Sequence, residues 1–268
     1  MSGNAATQIQ ELGGLFNVSG KSVYVPGGYG GIGEAICWTM AINGARVMIS
    51  GRNQQKAEKL AAEIRAAGFE AHGIAADANS VEQIRDSVET VVKTFGSVDV
   101  LVNCVGIQRE QKLLEVTEEA FVEVMSANVK AAMFLGQACA KHQIKAGRGG
   151  RQIHISSVRS QLAIRGRGYS SYCTSKGALT MLVKQHAMEL APHKINVNGV
   201  APTFVFTELV RYMLEDKEFL SSLEQRIPLG RIAKARDIAG PCLFFASPAA
   251  DFITGQVLYI DGGITASQ

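Results

Sequence analysis

Short apolar runs alternate with longer segments of helical spacing along most of this chain. Lys21 to Val25 is a β-rich run, and a glycine-rich turn leads from it into a helix from about Gly31 to Asn43. Ala45 to Ser50 reads as a second strand. Asn53 to Ala67 has helical spacing, with Ala57, Leu60, Ala61 and Ile64 on one face and Gly68 as its stop. Phe69 to Ala76 is a third strand, Ser80 to Phe95 a helix capped by Ser80, and Val98 to Cys104 a fourth, almost wholly apolar strand. Thr117 to about Lys145 reads as one long helix, with Thr117 as its cap and Glu118 and Glu119 near its positive end. Arg151 to Ser157 and Ile195 to Ala201 are the fifth and sixth strands, with a helix from Tyr172 to Leu190 between them. Pro202 to Arg231 is irregular with short helical pieces. Asp237 to Ala246 is helical, and Gln256 to Ile260 is the last strand.

Strands alternating with helices predict parallel strands joined by right-handed crossovers. Near-continuous apolar strands suit a sheet covered on both faces. The expected fold class is therefore α/β. It is a single doubly wound Rossmann domain over residues 15–268, with a seven-stranded, mostly parallel sheet and helices on both faces. Residues 1–14 form a loose tail, and a substrate loop spans about 202–232. Ligands of such sheets lie at the carboxyl ends of the strands, and every motif below falls at such an end.

Composition narrows the partners. Of 268 residues 47% are apolar and 19% charged, and the net charge is only +3, which suits a large core and disfavours nucleic acid. No apolar run is long enough to span a membrane. Met1 to Glu11 lacks the basic-then-apolar order of a signal peptide. The five cysteines are spread and form no CxxC pair, so reduced thiols and a cytoplasmic location are expected. The five histidines have no ligand spacing, so no metal is expected.

Gly27-Gly28-Tyr29-Gly30-Gly31-Ile32-Gly33 joins the first strand to the first helix. A glycine cluster alone is only a flexible turn. Between a strand and a helix it lets the backbone approach a pyrophosphate, beside the free N–H groups of a helix start. Sites for NAD usually place a carboxylate at the end of the second strand, to bind the ribose 2′-hydroxyl. Here that end reads Ser50-Gly51-Arg52. Gly51 leaves room, and Arg52 offers a cation for a 2′-phosphate, which favours NADP over NAD. Arg52 also fits an ordinary surface arginine. Asp77, with Ala78 after it, either accepts from an adenine amino group or caps the helix that follows.

Tyr172-Cys173-Thr174-Ser175-Lys176 places a phenol and an ammonium four residues apart, on one helix face. A free phenol, with a pKa of about 10, is a poor base. A neighbouring cation lowers that value and fits the phenol for proton transfer to or from a carbonyl oxygen. Ser157 ends the fifth strand, where its hydroxyl can hold the reacting oxygen or simply form a turn. Asn128 is a poor helix former in mid-helix. It either opens the helix and holds a water or faces solvent. Tyr169 is set aside because no lysine follows at its fourth position.

Five landmarks taken together resemble the short-chain dehydrogenases/reductases: Gly27-x-x-x-Gly31-x-Gly33, Asn103-x-x-Gly106, Asn128, Ser157 and Tyr172-x-x-x-Lys176. The likeness runs from about Leu15 to Gly263. It implies an NAD(P)-dependent oxidoreductase acting between an alcohol and a carbonyl, with Tyr172 as acid/base and Lys176 also on the nicotinamide ribose. Ser157 would orient the substrate and Asn128 would anchor a relay water. The cofactor would further meet Tyr29, Gly30, Ile32, Asp77, Ala78, Asn103, Val105, Gly106 and Pro202, the Val205 backbone and the Thr207 hydroxyl. A homotetramer paired through the long helices is also implied. Pro26, Cys104-Val105 and Thr203 depart from the family pattern, without removing a proton-transfer group.

Arg109 and Lys112 follow the fourth strand, and Arg159, Arg165 and Arg167 lie between Ser157 and Tyr172. They suit an acidic substrate or are solvated loop charge. Ile107-Gln108-Arg109 resembles members acting on sugar acids, the gluconate 5-dehydrogenases among them, so Arg109 and Arg159 are the substrate candidates. A reductase of 3-oxoacyl thioesters is the alternative, with Phe204, Phe206, Leu209, Tyr212 and Met213 lining an apolar pocket. A non-catalytic dinucleotide sensor or scaffold is a third reading.

Overall fold

The structure, a computed structural model, describes residues 8, 12–207 and 217–266. Leu209, Tyr212 and Met213 lie outside the described residues, as does most of the expected tail. Seven parallel strands form one sheet in the order β3-β2-β1-β4-β5-β6-β9. They are β1 (Ser22–Pro26), β2 (Arg46–Gly51), β3 (Ala71–Ala75), β4 (Val100–Asn103), β5 (Gly150–Ile155), β6 (Ile195–Pro202) and β9 (Val257–Ile260). The chain runs outward from β1 to β3 and then crosses back to β4. The point of reversal is the crevice between β1 and β4, where doubly wound sheets bind ligands. A short parallel pair, β7 (Val205–Phe206) with β8 (Ala233–Lys234), stands outside the main sheet.

Alternate side chains of the central strands enter two separate cores. Val23, Val25, Val47, Ile49, Val100 and Val102 pack against α1 (Gly31–Ile42), α2 (Gln54–Ala66) and α8 (Ala235–Ala246). Ala57, Leu60, Ala61 and Ile64 form the buried face of α2, as their spacing predicts. Tyr24, Met48 and Leu101 point the other way, onto α3 (Val81–Phe95) and α5 (Ala131–Ala146). Each face is therefore covered, and the ends of the strands remain the place for chemistry.

The caps fall where the sequence puts them: Ser80 Oγ accepts the Gln83 N–H, and Thr117 Oγ1 accepts the Ala120 N–H. The long helix is broken. It runs as α4 (Glu118–Met125), a π-helical turn over Ser126–Lys130, and α5. Asn128 sits in that turn and is fully buried, so the solvent-facing alternative falls away. α6 (Ser170–Leu190) starts two residues before Tyr172. Within the irregular stretch lies α7 (Lys217–Gln225). All five cysteines are free thiols, and no helix among the described residues is long and apolar enough to cross a membrane. Among the described residues no cluster of metal-ligating side chains occurs.

Candidate active site

The glycine turn closes the gap between β1 and β4. Pro26 cannot donate, yet its carbonyl accepts the Cys104 N–H at 2.9 Å, so the strands remain linked despite this departure from the family pattern. Gly27 has φ of 75°, and a Cβ there would lie 2.9 Å from the Cys104 carbonyl group. A Cβ on Gly33 would lie 2.6 Å from the Gly27 oxygen, so helix and turn touch through backbone. α1 begins with no side-chain cap on Gly30, which leaves its leading N–H groups for an anion. Thr207 lies against Gly31, so the loop after β6, from Pro202 through Val205 to Thr207, reaches the start of α1. Ile32 packs at the edge of the core.

Other expected contacts serve the turns. Asn103 is buried, its Oδ1 accepting the Val105 N–H at 3.0 Å and its amide nitrogen lying 3.3 Å from His154 Nδ1. Asp77 Oδ1 accepts the Asn79 N–H, forming a turn at the end of β3 with Ala78 inside it. Ser80, not Asp77, caps α3. The room expected at Gly51 is filled: the Tyr29 ring lies across it. Arg52, which follows Gly51 in the chain, is exposed. The Thr203 hydroxyl is buried without a protein partner.

Asn128, Ser157, Tyr172 and Lys176 converge at the ends of β4 and β5. Ser157 leaves β5 into a 3₁₀ turn, Val158–Ser160, and its Oγ accepts the Arg159 N–H at 3.1 Å. Burial pushes the Tyr172 phenol above its usual range, and the Ser157 hydroxyl pulls the other way. Lys176 is buried, and its Nζ donates to the Ile155 carbonyl at 2.9 Å. Burial brings its pKa down to about 8. The ammonium stands 5.7 Å from the centre of the Tyr172 ring. The expectation that Lys176 lowers the phenol is thus not met in the cofactor-free protein. Desolvation outweighs every neighbour of Tyr172.

The Asn128 amide is engaged by protein. Its Oδ1 accepts the Ile107 N–H at 2.8 Å, and its Nδ2 donates to the Ile107 carbonyl at 2.9 Å and to Ser175 Oγ at 2.8 Å. Ser175 in turn donates to the Tyr172 carbonyl at 2.7 Å. The π turn therefore ties the loop after β4 to the helix that carries the phenol. Gly106 fits beneath, where a Cβ would lie 3.3 Å from Asn128 Oδ1 and 3.4 Å from Lys176 Nζ. Sequence reasoning missed Ser175 and Ile107, because neither residue type signals its role. It also passed over Tyr169, whose ring stands edge-on to Tyr172 at 6.0 Å.

The arginines separate. Arg109 is held by both oxygens of Glu123 at 2.8 and 2.7 Å, on the exposed side of α4, so its carboxylate partner is already in the protein. A substrate carboxylate there would compete with Glu123. Arg167 is likewise paired with Glu110. Arg165 and Lys112 are solvent-exposed or nearly so. Arg159 differs: it is only 7% exposed and donates to the Leu162 and Ala163 carbonyls. After burial, the groups acting most strongly on it are Cys173, Arg226, Tyr169 and Tyr172, and no described carboxylate is paired with it.

This geometry has close relatives. Residues 27–265 match the protein family described as Enoyl-(Acyl carrier protein) reductase. The chain is 36% identical over 253 residues to gluconate 5-dehydrogenase of Gluconobacter oxydans, covering 94% of this chain and 98% of that one. It is 33% identical over 251 residues to 5-keto-D-gluconate 5-reductase of Escherichia coli, covering 93% and 97%. The crystal structure of a gluconate 5-dehydrogenase from Burkholderia cenocepacia, in complex with NADP and tartrate, superposes with a TM-score of 0.90 at 34% identity, over 95% of this chain and 99% of that one. The glycine turn, the crevice between β1 and β4 and the buried phenol–ammonium pair fit the same cofactor class. The chain belongs to the short-chain dehydrogenase/reductase family and is an NAD(P)-dependent oxidoreductase acting between alcohol and carbonyl.

Proposed function

We propose that this enzyme reversibly reduces a keto acid of the sugar-acid type to the hydroxy acid with NADP(H), using Tyr172 as proton donor and acceptor. The observation that carries the reading is Arg159, a buried guanidinium beside the phenol with no carboxylate partner among the described residues. A buried cation of this kind favours a substrate that brings the missing anion. The sugar acids named for the relatives have that anion, and the other candidate arginine, Arg109, already has Glu123 as its partner.

The residues divide the work. Ser157 holds the substrate oxygen against the Tyr172 hydroxyl. In reduction the carbonyl oxygen takes the Tyr172 proton as the carbon accepts a hydride, and in oxidation the hydroxyl proton returns to the Tyr172 oxygen. The cofactor, when bound, supplies or removes the hydride. Lys176 holds the site cationic from Ile155, and Asn128 fixes the Ile107 loop beneath it. The glycine turn, Asn103, Val105 and the Pro202–Thr207 loop hold the dinucleotide, with Arg52 at the 2′-phosphate. A homo-oligomer through the long helices is supported by the exposed Phe121, Val122, Met133, Met181 and Met188 on α4 to α6.

Steady-state kinetics of Arg159→Ala test the substrate. The variant is expected to lose about 100-fold in kcat/KM on keto acids and little on a neutral ketone. An unchanged acid-to-neutral ratio rejects the carboxylate role. Turnover of 3-oxoacyl thioesters alone would place the enzyme among acyl reductases, and cofactor binding without turnover of any carbonyl would make it a sensor.

A further inference from the structure

Tyr29 belongs to the glycine turn, but its ring leaves the turn and covers the end of β2. A Cβ on Gly51 would fall 2.4 Å from Tyr29 Cε1 and 2.7 Å from both Cζ and the phenol oxygen. A side chain at residue 51 would have to displace the tip of that ring. The phenol oxygen accepts the Asn53 N–H at 3.1 Å. Asn53 is itself fixed, since its side chain accepts the Lys56 N–H and caps α2.

That anchor decides which way the hydroxyl can act. A tyrosine hydroxyl has one proton to give. With the oxygen accepting from backbone, the O–H remains as a donor, and Asn53 is its sole hydrogen-bond partner among the described residues. The end of the second strand is where a doubly wound sheet reads the 2′ position of the adenosine ribose. A free 2′-hydroxyl is read by a carboxylate acceptor, whereas a 2′-phosphate is read by donors and cations. Donor and cation are both present here, as Tyr29 and the adjacent Arg52. The ring also blocks the first atom of any carboxylate side chain at position 51.

We infer that Tyr29 sets the cofactor selectivity of this enzyme: its hydroxyl donates to the 2′-phosphate beside Arg52, and its ring occupies the space where a carboxylate at residue 51 would read a free 2′-hydroxyl. The inference rests on the NADP reading above. It makes selectivity a joint property of residues 29 and 51, on two different strand ends, and not of the loop after β2 alone.

Calorimetric titration of the full chain with adenosine 2′,5′-bisphosphate and adenosine 5′-monophosphate, at one fixed salt concentration, tests it without turnover. Wild type is expected to bind the bisphosphate more tightly. Tyr29→Phe keeps the ring and should weaken the bisphosphate about tenfold while leaving the monophosphate within about twofold, the loss of one hydrogen bond to a charged group. The pair Tyr29→Ser with Gly51→Asp should favour the monophosphate, and Gly51→Asp alone should weaken both. Melting curves accompany each variant, and Tyr29→Phe is the deciding one if the aspartate variants fail to fold. Equal effects of Tyr29→Phe on the two probes, with Arg52→Ala still selective for the bisphosphate, overturn the inference and leave the NADP reading standing. Equal binding of both probes by wild type removes the NADP reading, and this inference with it.

Discussion

The two halves of the crevice are made of different material. Around β1 and β2 the strands bury hydrocarbon on the α1 and α2 side, as Val23, Val25, Val47 and Ile49. What faces the nucleotide there is backbone, shaped by the Gly27 and Gly33 contacts. On β5 the side chains of one face are polar and buried: Gln152, His154 and Ser156. Gln152 donates to the Gly136 carbonyl and to Gln143, and burial drags His154 down to about 3, so it is neutral. Ser156 Oγ, His154 Nε2 and Gln152 Oε1 have no hydrogen-bond partner among the described residues. Lys176 and Tyr172 stand at the end of this layer. The first half works through shape and the second through desolvation. A shaped turn is complete before its ligand arrives, whereas a desolvated phenol and ammonium are each pushed toward their neutral forms and need a ligand's charge to reverse it.

The largest expected effect separates the halves most cleanly. Tyr172→Phe removes the proton and keeps the ring, so kcat should fall about 10³-fold. Cofactor affinity, measured by titration, should stay within a factor of about two, because the glycine turn is untouched. A variant that kept its rate would show that the polar half does not carry the proton. Gly27→Ala is the converse. Its Cβ meets the Cys104 carbonyl at 2.9 Å in a backbone conformation with φ of 75°. The strain, about 2 kcal/mol, should appear as a lower melting temperature and weaker cofactor binding. Wild-type melting and binding by Gly27→Ala would break the comparison from the other side.

Legibility in the sequence divides along the same line. The alternation of strands and helices, the caps at Ser80 and Thr117 and the buried face of α2 were all written in local pattern, because period and capping are local physics. The turn glycines and Tyr172-x-x-x-Lys176 were legible for the same reason. Three things were not. The Tyr29 ring over Gly51 joins two strand ends that only the fold brings together. The Asn128 clamp on Ile107 and Ser175 depends on a π turn, which leaves no mark in hydrophobic spacing. The pairing of Arg109 with Glu123, against the burial of Arg159 with no carboxylate partner among the described residues, is a matter of which carboxylate is near. The direction of the Tyr172 shift failed for a related reason: spacing placed a cation beside the phenol, but burial depth, not visible in the sequence, outweighs it.

The smallest effect tests desolvation directly. Lys176 is buried, its Nζ donates to the Ile155 carbonyl, and its pKa is brought from 10.5 down to about 8 by burial. The folded protein therefore holds this proton less firmly than the unfolded chain does. Below pH 8 both states carry it, and the cost of burying the ammonium is fully present. Between pH 8 and 10.5 the folded state releases the proton while the unfolded state keeps it, so wild-type stability rises with pH across that window. Lys176→Met fills the same space without charge. In the cofactor-free protein at pH 7 it should raise stability by about 1–3 kcal/mol, read from denaturant unfolding, while turnover is lost. That advantage should shrink as pH rises from 8 and be gone near 10.5. If Lys176→Met is less stable than wild type at pH 7, with a gap that does not change with pH, the ammonium is well solvated in the folded state. The polar half would then be no more desolvated than the glycine turn, and the distinction between them would rest on Tyr172 alone.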